Sequence, residues 1–220
     1  MKTRFGLAAV AALVCASAAT ADLSTTYGWE DGNTVLGTYG NFVGSWNDDP
    51  SYVLSGNGSL YAFEDPLGGT PQGFAAWITG LSDGDVIDAS FFAWDDTHGT
   101  SPSLRIWGHY TSTGGTIDDY SGSAGGNTTY SGESEHWEEL SHSWTFDSDG
   151  GARDGLVVEI RIYASSSAEL GHGYVDDMTV SVFGDTSSVI ITTPGGSVPA
   201  PGALALLGLA GLAGGRRRRN

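Results

Sequence analysis

Basic residues are nearly absent from the chain. Nine Lys and Arg stand against 26 Asp and Glu in 220 residues, and the only lysine is Lys2. Lys2 and Arg4 lie at the front and Arg216 to Arg219 at the back, leaving only Arg105, Arg153 and Arg161 between them. Neither end segment, 1–21 or 198–220, holds an acidic residue. Three arginines against all 26 carboxyls therefore leave the middle at −23. Such a charge repels nucleic acid and anionic membrane surfaces, and no basic stripe is present to release counterions. Cysteine is scarcer still. Cys15 is alone and lies in the front segment, so the rest of the chain has neither a disulfide framework nor thiolate chemistry. No helix-period run stands out. Gly-x-Ser-x-Gly, His-Glu-x-x-His and phosphate-loop patterns are missing, and the five histidines have no metal-ligand spacing.

Both ends read as transport signals. Lys2 and Arg4 precede the apolar run Phe5–Val14, and Ala19-Thr20-Ala21 forms a small-x-small cleavage site before Asp22. This predicts a signal helix over 1–21 and passage through the Sec translocon. At the other end come Val198-Pro199-Ala200-Pro201, then an apolar run, then Arg216, Arg217, Arg218 and Arg219. The 13 residues Ala203–Gly215 make a hydrophobic helix of only ~20 Å, against a hydrocarbon core of ~30 Å. Four arginines held on the cytoplasmic side would stop transfer and leave the acidic part outside. The expected division is a signal peptide over 1–21, one folded unit over 22–184, a linker over 185–197 and a sorting tail over 198–220.

The folded unit reads as all-β. Short alternating segments are separated by Gly, Asp, Asn and Pro clusters. Strands are expected at 52–54, 59–63, 73–79, 86–94, 103–111, 137–146, 156–164 and 174–183. Residues 114–132, rich in Gly, Ser and Thr, read as a mobile loop. Residues two apart share a strand face. Leu104, Ile106 and Tyr110 thus oppose Arg105, Trp107 and His109. Val158, Ile160, Ile162 and Ala164 oppose Val157, Glu159, Arg161 and Tyr163. The first set on each strand suits a core.

The second set mixes flat aromatic rings with groups that orient hydroxyls, which is what a sugar-binding surface needs. Candidate glycan contacts are Arg105, Trp107, His109, Glu159, Arg161 and Tyr163, with Tyr120 and Tyr130 as a rim. The competing reading is a ladder of surface ion pairs among Arg105, Glu159 and Arg161, with Trp107 packed under a loop. Trp29, Trp77, Trp94 and Trp144 are assigned to the core. Asp176 shares its parity with Met178, Val180 and Val182, and a carboxylate facing inward needs a partner. A calcium ion, backbone amides or Arg153 could each supply one. For catalysis, the acidic group Glu133, Glu135, Glu138 and Glu139 around His136 is the densest, but parity separates Glu138 from Glu139.

Two resemblances add to this reading. The VPAP-apolar-RRRR tail resembles the PEP-CTERM sorting signal of bacterial exported proteins, with Ala200 where that motif has Glu. It implies transient membrane anchoring, an exosortase-type processing partner, and a place at the cell surface or in exopolysaccharide. The middle is similar to galactose-binding-like jelly-roll modules of carbohydrate-binding proteins. The phrases that carry this are Gly28-Trp29-Glu30-Asp31-Gly32, Ser55-Gly56-Asn57-Gly58-Ser59-Leu60-Tyr61, Gly84-Asp85-Val86, His136-Trp137-Glu138-Glu139-Leu140 and Tyr174-Val175-Asp176-Asp177-Met178. The resemblance implies a single jelly-roll β-sandwich with a structural calcium between its first and last strands. Its ligands would be Glu30 and Asp176, with a carbonyl near Gly58 as a third. A non-catalytic glycan-binding function follows. The alternatives are an envelope matrix protein without a specific sugar ligand and, third, a glycoside-active enzyme.

Overall fold

Alternation along the strands decides the architecture. The computed structural model describes residues 22–95, 103–132, 135–163 and 173–200. The signal-cleavage residues Ala19 and Ala21, Pro201, and Arg216 to Arg219 lie outside them, as do Glu133 and Ala164. Among the described residues, thirteen strands form two antiparallel sheets: β1 (Leu23–Tyr27), β2 (Thr38–Tyr39), β3 (Phe42–Asn47), β4 (Ser59–Glu64), β5 (Gln72–Thr79), β6 (Val86–Asp95), β7 (Ser103–Ser112), β8 (Ser123–Gly126), β9 (Trp137–Thr145), β10 (Arg153–Tyr163), β11 (Gly173–Phe183), β12 (Ile190–Thr193) and β13 (Gly196–Pro199). The smaller sheet runs β3-β4-β11-β6-β9, with β1 also on β11. The larger runs β13-β12-β5-β10-β7-β8, with β2 also on β5. The result is a jelly-roll sandwich. Among the described residues the helical content is two single 3-10 turns, and no helix there is long and apolar enough to cross a membrane.

Inward parity supplies the core. Leu104, Ile106, Val158, Ile160 and Ile162 of the larger sheet meet Ile87, Phe91, Val175, Val180 and Val182 of the smaller, all fully buried. Each such side chain stabilises the fold by about 1.5–3 kcal/mol. Trp29 and Trp144 are also buried in this core. Trp77 and Trp94 are not. Both are half-exposed on outer sheet faces, where Trp77 donates to Thr111 Oγ1 at 3.2 Å.

Three segments depart from the expectation. Tyr52–Leu54 is not a strand. Pro50–Tyr52 is a 3-10 turn capped by Asp49, and a loop follows it. Residues 114–132 do not hang free. β8 pairs with β7 there, and backbone bonds from Ser121, Tyr110 and Ser131 lay the segment along the edge of β7. Asp185–Ser197 is not a linker either. After the 3-10 turn Thr186–Ser188 it forms the hairpin β12–β13, and β12 pairs with β5. Val198 and Pro199 belong to β13, and buried Ala200 donates its N–H to the Val189 carbonyl. The folded unit therefore runs to Ala200 and takes in the first three residues of the expected tail.

Asp176 also departs from its expected face. β11 pairs with β4 at residues 173–175 and with β1 at 178–182. Between these ladders the register to β6 shifts, and Asp177 adopts a left-handed φ of 47°. The extra residue reverses the parity. Val175 pairs with core Ala93, whereas Asp176 pairs with half-exposed Phe92 on the outer side.

Candidate functional site

The outer face of the larger sheet gathers the six expected glycan contacts. Because Leu104, Ile106, Val158, Ile160 and Ile162 point inward, Arg105, Trp107 and His109 on β7 must point outward beside Glu159, Arg161 and Tyr163 on β10. Register places Glu159 opposite Trp107 and Arg161 opposite Arg105.

Glu159 is fully buried and well partnered. Its Oε1 meets His109 Nδ1 at 2.5 Å, and its Oε2 accepts from Arg161 Nε at 2.7 Å. Gln72 on β5 completes the group. With its amide nitrogen toward the carboxylate, it donates to Glu159 Oε1 at 3.1 Å and accepts from Arg161 Nη2 at 3.2 Å. A buried carboxylate is tolerated on these terms, paired and hydrogen-bonded at both oxygens. The expected ladder is thus only half present, because Arg105 is not part of it. Its Nε donates to the Asn127 carbonyl and its Nη1 to Tyr130 OH at 3.2 Å. The Arg105 guanidinium lies 4.2 Å from the Trp107 ring centre, and that of Arg161 lies 4.5 Å from it. Trp107 is further fixed by its Nε1 donating to Ser123 Oγ at 2.9 Å.

A cleft of about 420 Å³ opens beside this network. Tyr39, Gln72, Phe74, His109, Tyr120 and Arg161 line it together with Thr70 and the carboxylate-bearing Asp118. Tyr39 is 64% exposed and Tyr120 67%. His109 is buried below, with its ring 5.2 Å from Phe74 and 5.7 Å from Tyr120. Of the two expected rim residues, Tyr120 lines this cleft; Tyr130 does not, and meets Tyr163 edge-on at 5.4 Å. Tyr39, Gln72 and Phe74 were not legible as site residues. β2 has only two residues and no period to read. Gln72 precedes the expected strand start. Phe74 has the ordinary appearance of a core residue.

The expected metal ligands sit elsewhere, at the bulge in β11. Asp176 is fully buried, and its Oδ2 accepts from the backbone N–H groups of Leu54 and Ser55 at 2.9 and 3.2 Å. Burial pushes its carboxyl up to about 6, against the pull of three backbone hydrogen bonds, with neighbouring Asp177 adding a little. Glu30 accepts from Asn57 N–H at 2.8 Å. Gly56, with φ +68°, brings that loop against the Glu30 carboxylate so closely that a side chain there would be strained and would displace the carboxylate. Gly58 is not part of this approach; it packs on Trp46 and the Trp29 carbonyl. Among the described residues no group of three His, Cys, Asp or Glu side chains is set to hold a metal ion as it stands. Three carboxylates nonetheless face one small space beside Gly28. A Cβ there would lie 3.2, 3.6 and 3.7 Å from oxygens of Asp177, Glu30 and Asp176. Ser55 adds a hydroxyl, bonded to Asp177 at 2.8 Å. Such an all-oxygen set suits calcium.

The acidic group around His136 is drawn apart. Glu138 accepts from Gly132 N–H at 2.7 Å and lies 3.0 Å from His136 Nε2. Glu139 points to the other side of β9, toward a shallow polar depression of about 500 Å³ lined with Ser90, Ser141, Ser143, Thr179 and Ser181.

The fold defines the class: an antiparallel jelly-roll β-sandwich. Among solved structures, the chain is similar to the CBM22-1 xylan-binding domain of Paenibacillus barcinonensis Xyn10C, with a TM-score of 0.50 and 12% identity over 75% of this chain and 97% of that one. It is also similar to the CBM22-1–CBM22-2 tandem domain of the same protein. The TM-score there is 0.52 and the identity 14% over 76% of this chain, which spans 48% of the tandem. At these identities the likeness is one of fold. No family model and no curated protein matches the chain.

Proposed function

We propose that the chain is an exported, non-catalytic glycan-binding protein whose site is the outer face of the larger sheet. One observation carries this reading. Two highly exposed tyrosines, Tyr39 and Tyr120, flank a cleft floored by a rigid, fully partnered polar network. Exposed rings supply stacking area at small entropic cost, and the buried network holds Arg161 and Gln72 ready for hydroxyls. Similarity to one domain described as xylan-binding supports the same direction. The smaller sheet, whose outer face carries the Ser and Thr depression, favours the matrix-protein alternative only for that side. Export rests on the charged, apolar and small-x-small order of residues 1–21. Sorting by an exosortase-type enzyme, with transient anchoring, rests on the resemblance of residues 198–220 to the PEP-CTERM signal. The expected location is the cell surface or extracellular matrix.

Retention in gels containing a panel of plant and bacterial polysaccharides tests the binding site. Wild-type protein is expected to be retarded by at least one of them. Tyr39→Ala and Tyr120→Ala should each weaken retention about tenfold, roughly 1.4 kcal/mol, without lowering the melting temperature. Retention unchanged in both variants would place any glycan elsewhere.

Calcium at Glu30, Asp176 and Asp177 is the second part of the proposal, and its role would be structural. The metal-free Asp176 carboxyl titrates near 6, above its ordinary 3.8. The fold then keeps a proton that the unfolded chain releases, so this group's contribution is full below pH ~4 and falls away as pH rises through about 6. A bound cation would replace that proton. Calcium is therefore expected to raise the melting temperature over chelator more at pH 7 than at pH 5, and Asp176→Asn should abolish the difference. A wild-type melting curve indifferent to calcium at pH 7 would end the idea.

A further inference from the structure

We infer that the glycan taken by this face is acidic, a polysaccharide bearing carboxylates such as a uronic acid; this deepens the glycan-binding reading and rests on it. Arg105, Arg153 and Arg161 are the only Lys or Arg residues between positions 5 and 215. Two of the three lie side by side on this one face.

Their placement is a row. Tyr39 on β2 pairs with Gln72 on β5, Gln72 with Arg161 on β10, and Arg161 with Arg105 on β7. Tyr130 continues it through its hydroxyl on Arg105. Strands lie about 4.8 Å apart, so Tyr39 to Arg105 spans about 14 Å, which suits a short stretch of sugar chain laid across the strands. Exposed rings stand at both ends of the row and cations at its centre.

The two arginines are not equivalent. Arg161 is balanced by the buried Glu159 carboxylate. Arg105 has no carboxylate partner among the described residues. It is half-exposed, its plane is fixed on Trp107, and its fork is steadied only by neutral oxygens. Its field is felt nearby: after burial, Arg105 is what holds His142 below the usual histidine range. An uncompensated guanidinium with its geometry already fixed is suited to a planar, twofold oxygen acceptor, which is a carboxylate. Hydroxyls of a neutral sugar need no such charge. On a protein whose middle stands at −23, a local cation is also what an anionic ligand requires to overcome the general repulsion.

The test uses the full chain with EDTA present, so that calcium cannot bridge carboxylates. Retardation is measured in gels containing polygalacturonate, its methyl-esterified form, alginate and neutral xylan. Expected is stronger binding to an acidic polymer than to the esterified one, weakening as salt rises. Arg105→Gln should lose about tenfold or more, the effect of one charge-assisted hydrogen bond, and Arg105→Lys should fall between. Equal or stronger retention by the esterified polymer or by xylan would overturn the inference and leave glycan binding standing. No retention by any polysaccharide would remove both.

Discussion

A chain ending at Gly184 is expected to lose roughly 3–6 kcal/mol of stability relative to one ending at Ala200, because it discards two fully buried side chains worth about 1.5–3 kcal/mol each. These are Val189 and Ile191, both at 0% exposure in the core. The hairpin also covers the edge of β5 through Ile191 opposite Ile78, and its turn is tied to the front of the domain by Asn33 donating to the Pro194 carbonyl at 3.0 Å. Against a total stability of about 5–15 kcal/mol, such a loss is near to unfolding. It also bares a strand edge that invites aggregation. Urea midpoints of the two chains, both beginning at Asp22, check this, and coincident midpoints would refute it. The same boundary bears on processing. Ala200 is buried and hydrogen-bonded, so trimming within Val198–Ala200 would have to open the sandwich. If the chain is exported and processed as proposed, its mature mass is expected to correspond to a start at Asp22 and an end beyond Ala200.

Glu159→Ala is expected to cost about 3–5 kcal/mol, the usual penalty for removing one partner of a buried ion pair, and toward the lower figure here. The reason for the lower figure is that the Arg161 side chain keeps 12% exposure and can reach some water. The loss has two parts: a cavity where the carboxyl was, and an arginine and an imidazole left facing it without their shared acceptor. Replacing both partners, Glu159→Met with Arg161→Met, should recover most of the stability, since the desolvation of both charges is then avoided. That double variant should still fail to bind glycan. A Glu159→Ala protein within 0.5 kcal/mol of wild type in denaturant unfolding would contradict the account.

Sequence periodicity read the site's skeleton well and its edges poorly. Alternation in β7 and β10 placed Arg105, Trp107, His109, Glu159, Arg161 and Tyr163 on one face, because a central strand with one fully apolar side has only one way to lie. It did not reveal that Glu159 and His109 would be buried on that face. This depends on Tyr120, Gln72 and Phe74, which come from other parts of the chain. β1, β2, β3 and the β12–β13 hairpin were missed for a related reason. They are short or rich in Ser, Thr and Gly, and their pairing is fixed by long-range partners rather than by a local pattern. Asp176 was misplaced by one added residue. A bulge at Asp177 cannot be seen from alternation, because Val180 and Val182 keep the same period beyond it. Chemistry still pointed the right way, since Asp176 is buried and does have partners, and those in the structure are backbone amides.

The joining of distant strands has a kinetic meaning. β1 is held by β11, whose residues come about 155 positions later, and β12 seals β5 across more than 100. Little of the sandwich can close on itself until nearly the last strand has been delivered. Contacts of such sequence separation make a chain slow to fold, on the scale of milliseconds to seconds. Under the export proposed above, in which the chain is threaded through a membrane as an open polypeptide, that delay would be an advantage. The polypeptide would then stay slack while moving and make its central pairings only once β11 has arrived.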